Sequence, residues 1–186
     1  SAMIRAGGGR LGANDTRSTS MEKGECLEDT VRTFSDYADV VVLRHEQPDA
    51  TEVGAAVSRV PVINGGNGNK EHALGAGCML FNIRHYLGFV EGASVGFYGP
   101  AEFSRCAKGL LPILGYYGAK VFVDDVQGHF PFPKDVEEAA RRNGLGSITY
   151  GPLEKFITQL DWLVVCNAVP TASITDAQRV AVKEHY

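Results

Sequence analysis

The sequence predicts an α/β protein built from parallel sheets, and three observations carry that expectation. Short apolar runs of strand length alternate with longer segments of helical spacing along most of the chain. The runs are continuously apolar rather than alternating, as in strands covered on both faces. The first two of them end at Arg44 and at a glycine turn, placed at the carboxyl edge of an open α/β sheet, where ligands bind.

The first twenty residues read as a helix end, a glycine break (Gly7 to Gly9), a short strand around Arg10 to Ala13 and a Ser/Thr-rich loop, so the chain is expected to begin in mid-fold. From Glu25 a helix carries Leu27, Val31, Phe34 and Tyr37 on one face and Glu28, Asp29, Arg32 and Asp36 on the other. Val40 to Leu43 is a buried strand that ends at Arg44 and His45. A helix from Thr51 to Ser58 leads to a second strand, Val60 to Ile63, which empties into a turn holding Gly65, Gly66 and Gly68. A polar run then delivers His72 to the start of a long apolar helix, Glu71 to Leu87.

At GFVEGAS (88–94) the pattern resets, as at a hinge between two lobes. Strands follow at Ser94 to Tyr98, Lys120 to Val123, Ser147 to Tyr150 and Trp162 to Cys166. Helices separate them at Ser104 to Tyr117, Lys134 to Asn143 and Leu153 to Leu160, and a last helix spans Thr175 to His185. This order predicts a Rossmann-like, doubly wound second lobe. Pro112 is expected to kink its helix, and GHFPFP (128–133) forms a rigid turn. Phe89, Phe97, Tyr98, Tyr116 and Tyr117 read as core or subunit-contact aromatics.

The totals exclude several functions. With 18 Lys plus Arg against 22 Asp plus Glu, and a pI near 5.7, there is no basic field for nucleic acid or an acidic membrane. No run is long enough to cross a bilayer and no signal peptide is visible, so a cytoplasmic protein is expected. Cys26, Cys78, Cys106 and Cys166 lie far apart, without a CxxC pair or histidines at ligand spacing, and read as reduced, half-buried residues with no metal.

Four places could carry chemistry. Strand, glycine turn and helix N-terminus around His72 suit an anion, because free N–H groups and a partial positive charge meet there. His72 could donate to a carbonyl or phosphoryl oxygen, or be a polar first-turn residue. Arg44 could grip an anion in bidentate fashion or sit in an edge salt bridge. The loop STSMEKGE (18–25) holds Ser20 and Lys23, suited to a phosphate or carboxylate, or else to capping the next helix. In VGFYGPAEFSRCAKGLL (95–111), Arg105 falls in the first helical turn, where it would hold a carboxylate. A dinucleotide reading of Gly96 and Gly99 lacks the third glycine. There is no Ser/His/Asp order and no nucleophile elbow, so any catalysis would work by orienting charged substrates.

The runs KGECLEDTVRTFSDYADVVVLRH, VPVINGGNGNKEH and VGFYGPAEFSRCAKGLL resemble the aspartate and ornithine carbamoyltransferases, most closely the aspartate enzymes, in the family's order and at nearly its spacing. The resemblance implies a two-lobed carbamoyltransferase-like fold, with residues 1–88 binding carbamoyl phosphate and 89–186 an incomplete amino-acid domain. It implies carbamoyl transfer from carbamoyl phosphate to L-aspartate in pyrimidine synthesis, without a cofactor. It also implies a homotrimer with active sites shared between subunits, to which a regulatory or dihydroorotase partner could attach. By position, Lys23 and Ser20 (or Thr19) would be lent to a neighbouring subunit. Arg44 would grip carbamoyl phosphate, His72 would polarise its carbonyl, and Arg105 would hold a carboxylate of the amino acid.

The family's Pro-Thr-Gln after the histidine is Ala73, Leu74 and Gly75 here, and its Thr-Arg-Val-Gln run is Cys166, Asn167, Ala168 and Val169. The family's Ser-Thr-Arg-Thr-Arg and Pro-Leu-Pro-Arg segments would fall before Ser1 and after Tyr186. Each lost charge-assisted bond costs about 1.5 to 3 kcal/mol, so little or no turnover is expected of this polypeptide, and a non-catalytic binding, regulatory or assembly subunit is the alternative.

Overall fold

The computed structural model describes residues 5–10, 25–166 and 174–185. It divides into two compact units, Ser1–Gly68 and Asn69–Tyr186. The strand expected at Arg10 to Ala13 and the loop at 18–25 lie largely outside the described residues.

In the first unit, helix α1 (Leu27–Ser35) is followed by strand β1 (Val41–His45), helix α2 (Ala50–Val57) and strand β2 (Val62–Asn67). The two strands are parallel, as the α-helical crossover between them requires. A small core of Leu27, Val31 and Ala50, with Leu43 and Val57 against it, holds the unit together. The helices bury one face of the strand pair, so β1 alternates instead of being buried throughout: Val42 is 61% exposed. Tyr37 lies past the end of α1 and is exposed. Strand β2 starts two residues late and runs on through the glycines, because Gly66 and Asn67 pair with Arg44 and His45 after a register shift.

The second unit opens with helix α3 (Ala73–Leu87), which Gly88 ends in the left-handed conformation, its N–H donating to the Arg84 carbonyl. Then come β3 (Ser94–Tyr98), a 3-10 turn at Ala101–Phe103, α4 (Arg105–Gly115), β4 (Lys120–Asp124), α5 (Lys134–Arg142), β5 (Ser147–Tyr150), β6 (Trp162–Val165) and α6 (Asp176–His185). The sheet is parallel in the order β5-β4-β3-β6. The chain winds outward from β3 to β5 and then returns to β3's other side, which makes the gap beyond β3 and β6 a topological switch point. Ala76 and Ile83 of α3 share one core with Phe97, Leu110, Leu111 and Leu114. That packing explains why the compact units part at Gly68/Asn69 and not after residue 88.

Several expectations need correction. Leu153 to Leu160 is not one helix but two 3-10 turns, Leu153–Lys155 and Ile157–Gln159, broken where Phe156 turns inward to pack on Phe122 with ring centroids 5.2 Å apart. Pro112 lies inside helix α4, as expected, and its carbonyl accepts from the Asn143 side chain at 2.9 Å. Of the aromatics read as core or subunit-contact residues, Phe97 is core, whereas Phe89 and Tyr116 are exposed on this chain, which leaves the subunit-contact alternative standing for them. None of the four cysteines is in a disulfide, but Cys26, just ahead of α1, and Cys78 on α3 are exposed and not half-buried.

Candidate functional site

In the first unit the site residue is Arg44. It is the penultimate residue of β1, opposite Gly66, and its Nη1 donates to the Gly65 carbonyl at 3.0 Å. The guanidinium therefore folds over the glycine turn. Gly66 makes room for it: a Cβ there would lie 2.7 Å from Arg44 Nη1, and φ is +127°. The turn is internally tied, with Gly66 N–H donating to Asn64 Oδ1 at 2.7 Å and Gly68 N–H to the His45 carbonyl at 2.9 Å. Its shape is set by backbone hydrogen bonds that a longer side chain would interrupt.

In the second unit His72 is the N-cap of α3. Its Nδ1 accepts from the Gly75 N–H at 2.9 Å, satisfying one of the helix's orphan donors. With Nδ1 committed as acceptor, a neutral ring carries its proton on Nε2, which makes Nε2 a donor. The His72 N–H donates to the Arg105 carbonyl at 3.3 Å, so the histidine turn is joined to the first turn of α4. Ser104 caps α4, its Oγ accepting from the Ala107 N–H at 3.3 Å.

Ser104 stands at the switch point, hydrogen-bonded to the Cys166 side chain. The Cys166 N–H donates to the Tyr98 carbonyl at 2.7 Å, closing the carboxyl ends of β3 and β6 together. Burial pushes the Cys166 thiol up to about 11, against a hydrogen bond with Ser104 that lowers it. The thiol is thus neutral near pH 7 and poorly suited to act as a nucleophile. Among the described residues no group of three or more His, Cys, Asp or Glu side chains is arranged to hold a metal ion. No helix among them is long and apolar enough to cross a membrane.

The structure thus joins His72 and Arg105 through the backbone and places Arg44 in the other unit. Ser20 and Lys23, like Thr19, lie outside the described residues. What the sequence did not reveal is the partner of Gly75: a Cβ there would meet Cys106 Sγ at 2.5 Å and His72 Nδ1 at 3.1 Å. Residues 31 positions apart share that contact, and no local pattern announces it.

That contact makes one prediction. Gly75→Gln alone is expected to lose about 1 to 3 kcal/mol of stability through overpacking. Gly75→Gln with Cys106→Ala should recover most of it. Urea unfolding of both variants checks this, and equal losses in the two would contradict the packing.

The profile described as "Aspartate/ornithine carbamoyltransferase, carbamoyl-P binding domain" matches residues 1–84. The aspartate carbamoyltransferase catalytic subunit of Thermococcus gammatolerans is 34% identical over 165 residues, 89% of this chain and 53% of its own length. Multifunctional protein ura1 of Schizosaccharomyces pombe is 35% identical over 162 residues, 87% of this chain and 7% of its own length. Among solved structures, aspartate transcarbamoylase from Trypanosoma cruzi in complex with carbamoyl phosphate superposes with a TM-score of 0.84 at 29% identity, covering 98% of this chain and 58% of that one. The chain spans little more than half the length of the catalytic subunits it matches, and a small part of the multifunctional protein.

Proposed function

Since the chain belongs to the aspartate/ornithine carbamoyltransferase family, on the side of the aspartate enzymes, we propose that the protein carrying it moves the carbamoyl group of carbamoyl phosphate onto the amino group of L-aspartate, a step of pyrimidine synthesis. The observation that carries the reading is the cap at His72. Nδ1 is held by the Gly75 N–H, so Nε2 is the donor that meets the carbamoyl oxygen. The amine attacks the carbonyl carbon and negative charge gathers on that oxygen. The intermediate then expels phosphate, with the amine proton lost. A preset donor stabilises that charge without reorganising.

Arg44 holds the phosphate end of the donor, and Arg105 a carboxylate of the acceptor. Ser20 and Lys23 complete the site of an adjoining subunit in a homotrimer. Residues 1–88 serve carbamoyl phosphate and 89–186 the amino acid. The enzyme works in the cytoplasm and, because the donor is already an activated anhydride, draws on no cofactor. Positioning of two charged substrates and electrostatic stabilisation do the rest.

A second reading has its own observation. Cys106 Sγ occupies the space into which a side chain at position 75 would grow, so the chain supplies no amide there for the carbamoyl nitrogen. This favours a homologue of low turnover, kept as a binding, regulatory or assembly subunit. Labelled carbamoyl phosphate offered to the intact protein with aspartate, then with a panel of amino acids, decides. Label in N-carbamoyl-aspartate supports the transferase. Its absence with aspartate and with every other acceptor overturns the transferase in favour of the second reading.

A further inference from the structure

Helix α4 turns one face, Arg105, Lys108 and Gly109, towards the segment that carries His72, as the spacing i, i+3, i+4 requires. Each residue of that face engages the segment. Lys108 Nζ donates to the Asn69 carbonyl at 2.6 Å, and the Arg105 carbonyl accepts from the His72 N–H at 3.3 Å. Gly109 lets the two elements close up, since a Cβ there would lie 3.0 Å from Ala76 Cβ and 3.8 Å from the His72 carbonyl oxygen. The segment from Asn69 to His72 is thus fastened at both ends to one helix, once by a charge-assisted hydrogen bond.

We propose that Lys108 is a positioning residue for His72: its ammonium, by holding the Asn69 carbonyl, fixes the 69–72 segment and with it the direction in which the imidazole presents Nε2. This deepens the transferase reading and rests on it for the rate effect, though not for the structural effect. A long ammonium side chain is otherwise an unneeded choice for a half-buried helix position, where leucine or methionine would pack without desolvating a charge. Here the charge has a carbonyl to bind and a polar segment to hold.

The same placement makes the clasp sensitive to alkali. Burial lowers the Lys108 pKa, with Arg105 on the same helix adding to the effect and Glu102 and Asp135 from neighbouring elements opposing it. Lys70 and Glu71 belong to the clasped segment itself. As pH rises, Lys108 sheds its proton earlier than an ordinary lysine, and the charge-assisted bond weakens. An arginine at the position stays charged throughout.

The test uses Lys108→Met and Lys108→Arg in the intact protein, with amide hydrogen exchange and steady-state rates across pH. Lys108→Met is expected to speed exchange of the 69–75 amides about tenfold, the lower end of one charge-assisted bond, while β4 and β5 amides keep their rates. It should lower kcat by a similar factor with KM little changed. Lys108→Arg should restore both and move the alkaline fall of kcat to higher pH. Unchanged 69–75 exchange in Lys108→Met overturns the proposal, whatever the rates. Equal loosening across the whole unit also overturns it, because Lys108 would then be a general staple. If the wild type shows no turnover, the transferase reading fails, while exchange still decides the clasp.

Discussion

Replacing His72 by Asn is expected to lower carbamoyl transfer by about 100- to 1,000-fold, the usual cost of removing one preset donor to a developing oxyanion, while leaving the unfolding midpoint close to that of the wild type. The two effects separate because the proposed function gives His72 a second job on its second nitrogen. Nδ1 accepts from the Gly75 N–H and starts α3. Asn caps helices as well as any residue, so its Oδ1 can take over that bond, but its amide is too short to stand in for Nε2. His72→Ala should lose the cap as well, with about 1 kcal/mol of stability. Steady-state kinetics and urea unfolding on the pair are the check. A His72→Asn protein with wild-type kcat would remove the imidazole from the chemistry.

Gly66→Ala is expected to weaken binding of the phosphate-bearing substrate by about 10- to 150-fold, the equivalent of one charge-assisted bond of about 1.5 to 3 kcal/mol. The effect acts through Arg44. A Cβ at position 66 would lie 2.7 Å from Arg44 Nη1, so the guanidinium must leave the place where the Gly65 carbonyl holds it. The Gly66 φ of +127° adds a backbone penalty of about 1 to 2 kcal/mol for any residue with a side chain. Arg44→Met should lose the same affinity with little loss of stability, and calorimetric titration beside urea unfolding tells the two apart. Gly66→Ala with undiminished affinity would mean that the folded-over position of Arg44 is irrelevant to binding.

Much of this was legible in the sequence, for identifiable reasons. Strands β3 and β5 fall on the expected residues, Ser94–Tyr98 and Ser147–Tyr150, each starting just after a short polar or small-residue turn. Their neighbours drifted by a residue or two at the ends, where hydrogen bonding and not side-chain type decides the boundary. The segment 153–160 misled because its helical spacing is real. Tertiary bonds won: Leu153 N–H donates to Asp124 Oδ2 at 2.9 Å and Phe156 is pulled into the sheet face. The glycine turn misled in the opposite way, since β1 offers a pairing edge that holds Gly65 to Asn67 in strand form.

As candidates, His72, Arg44 and Arg105 stood out because glycines, strand ends and a helix start are local signals. The Gly75–Cys106 contact and the Lys108 clasp did not, because they join residues more than thirty positions apart. Such contacts exist only once α3 and α4 pack, and nothing in either helix alone spells them out.

The proposed function requires that Arg44 and His72 act on one ligand. Calorimetric titration of the intact protein with a bisubstrate analogue joining a phosphonate to aspartate tests it most directly, using wild type, Arg44→Met, His72→Asn and the double variant. The account predicts that the wild type binds, that each single change weakens binding at least tenfold, and that the double change costs less than the two together because both groups grip one molecule. Binding that neither single change alters would place the two groups in separate spaces and contradict the account.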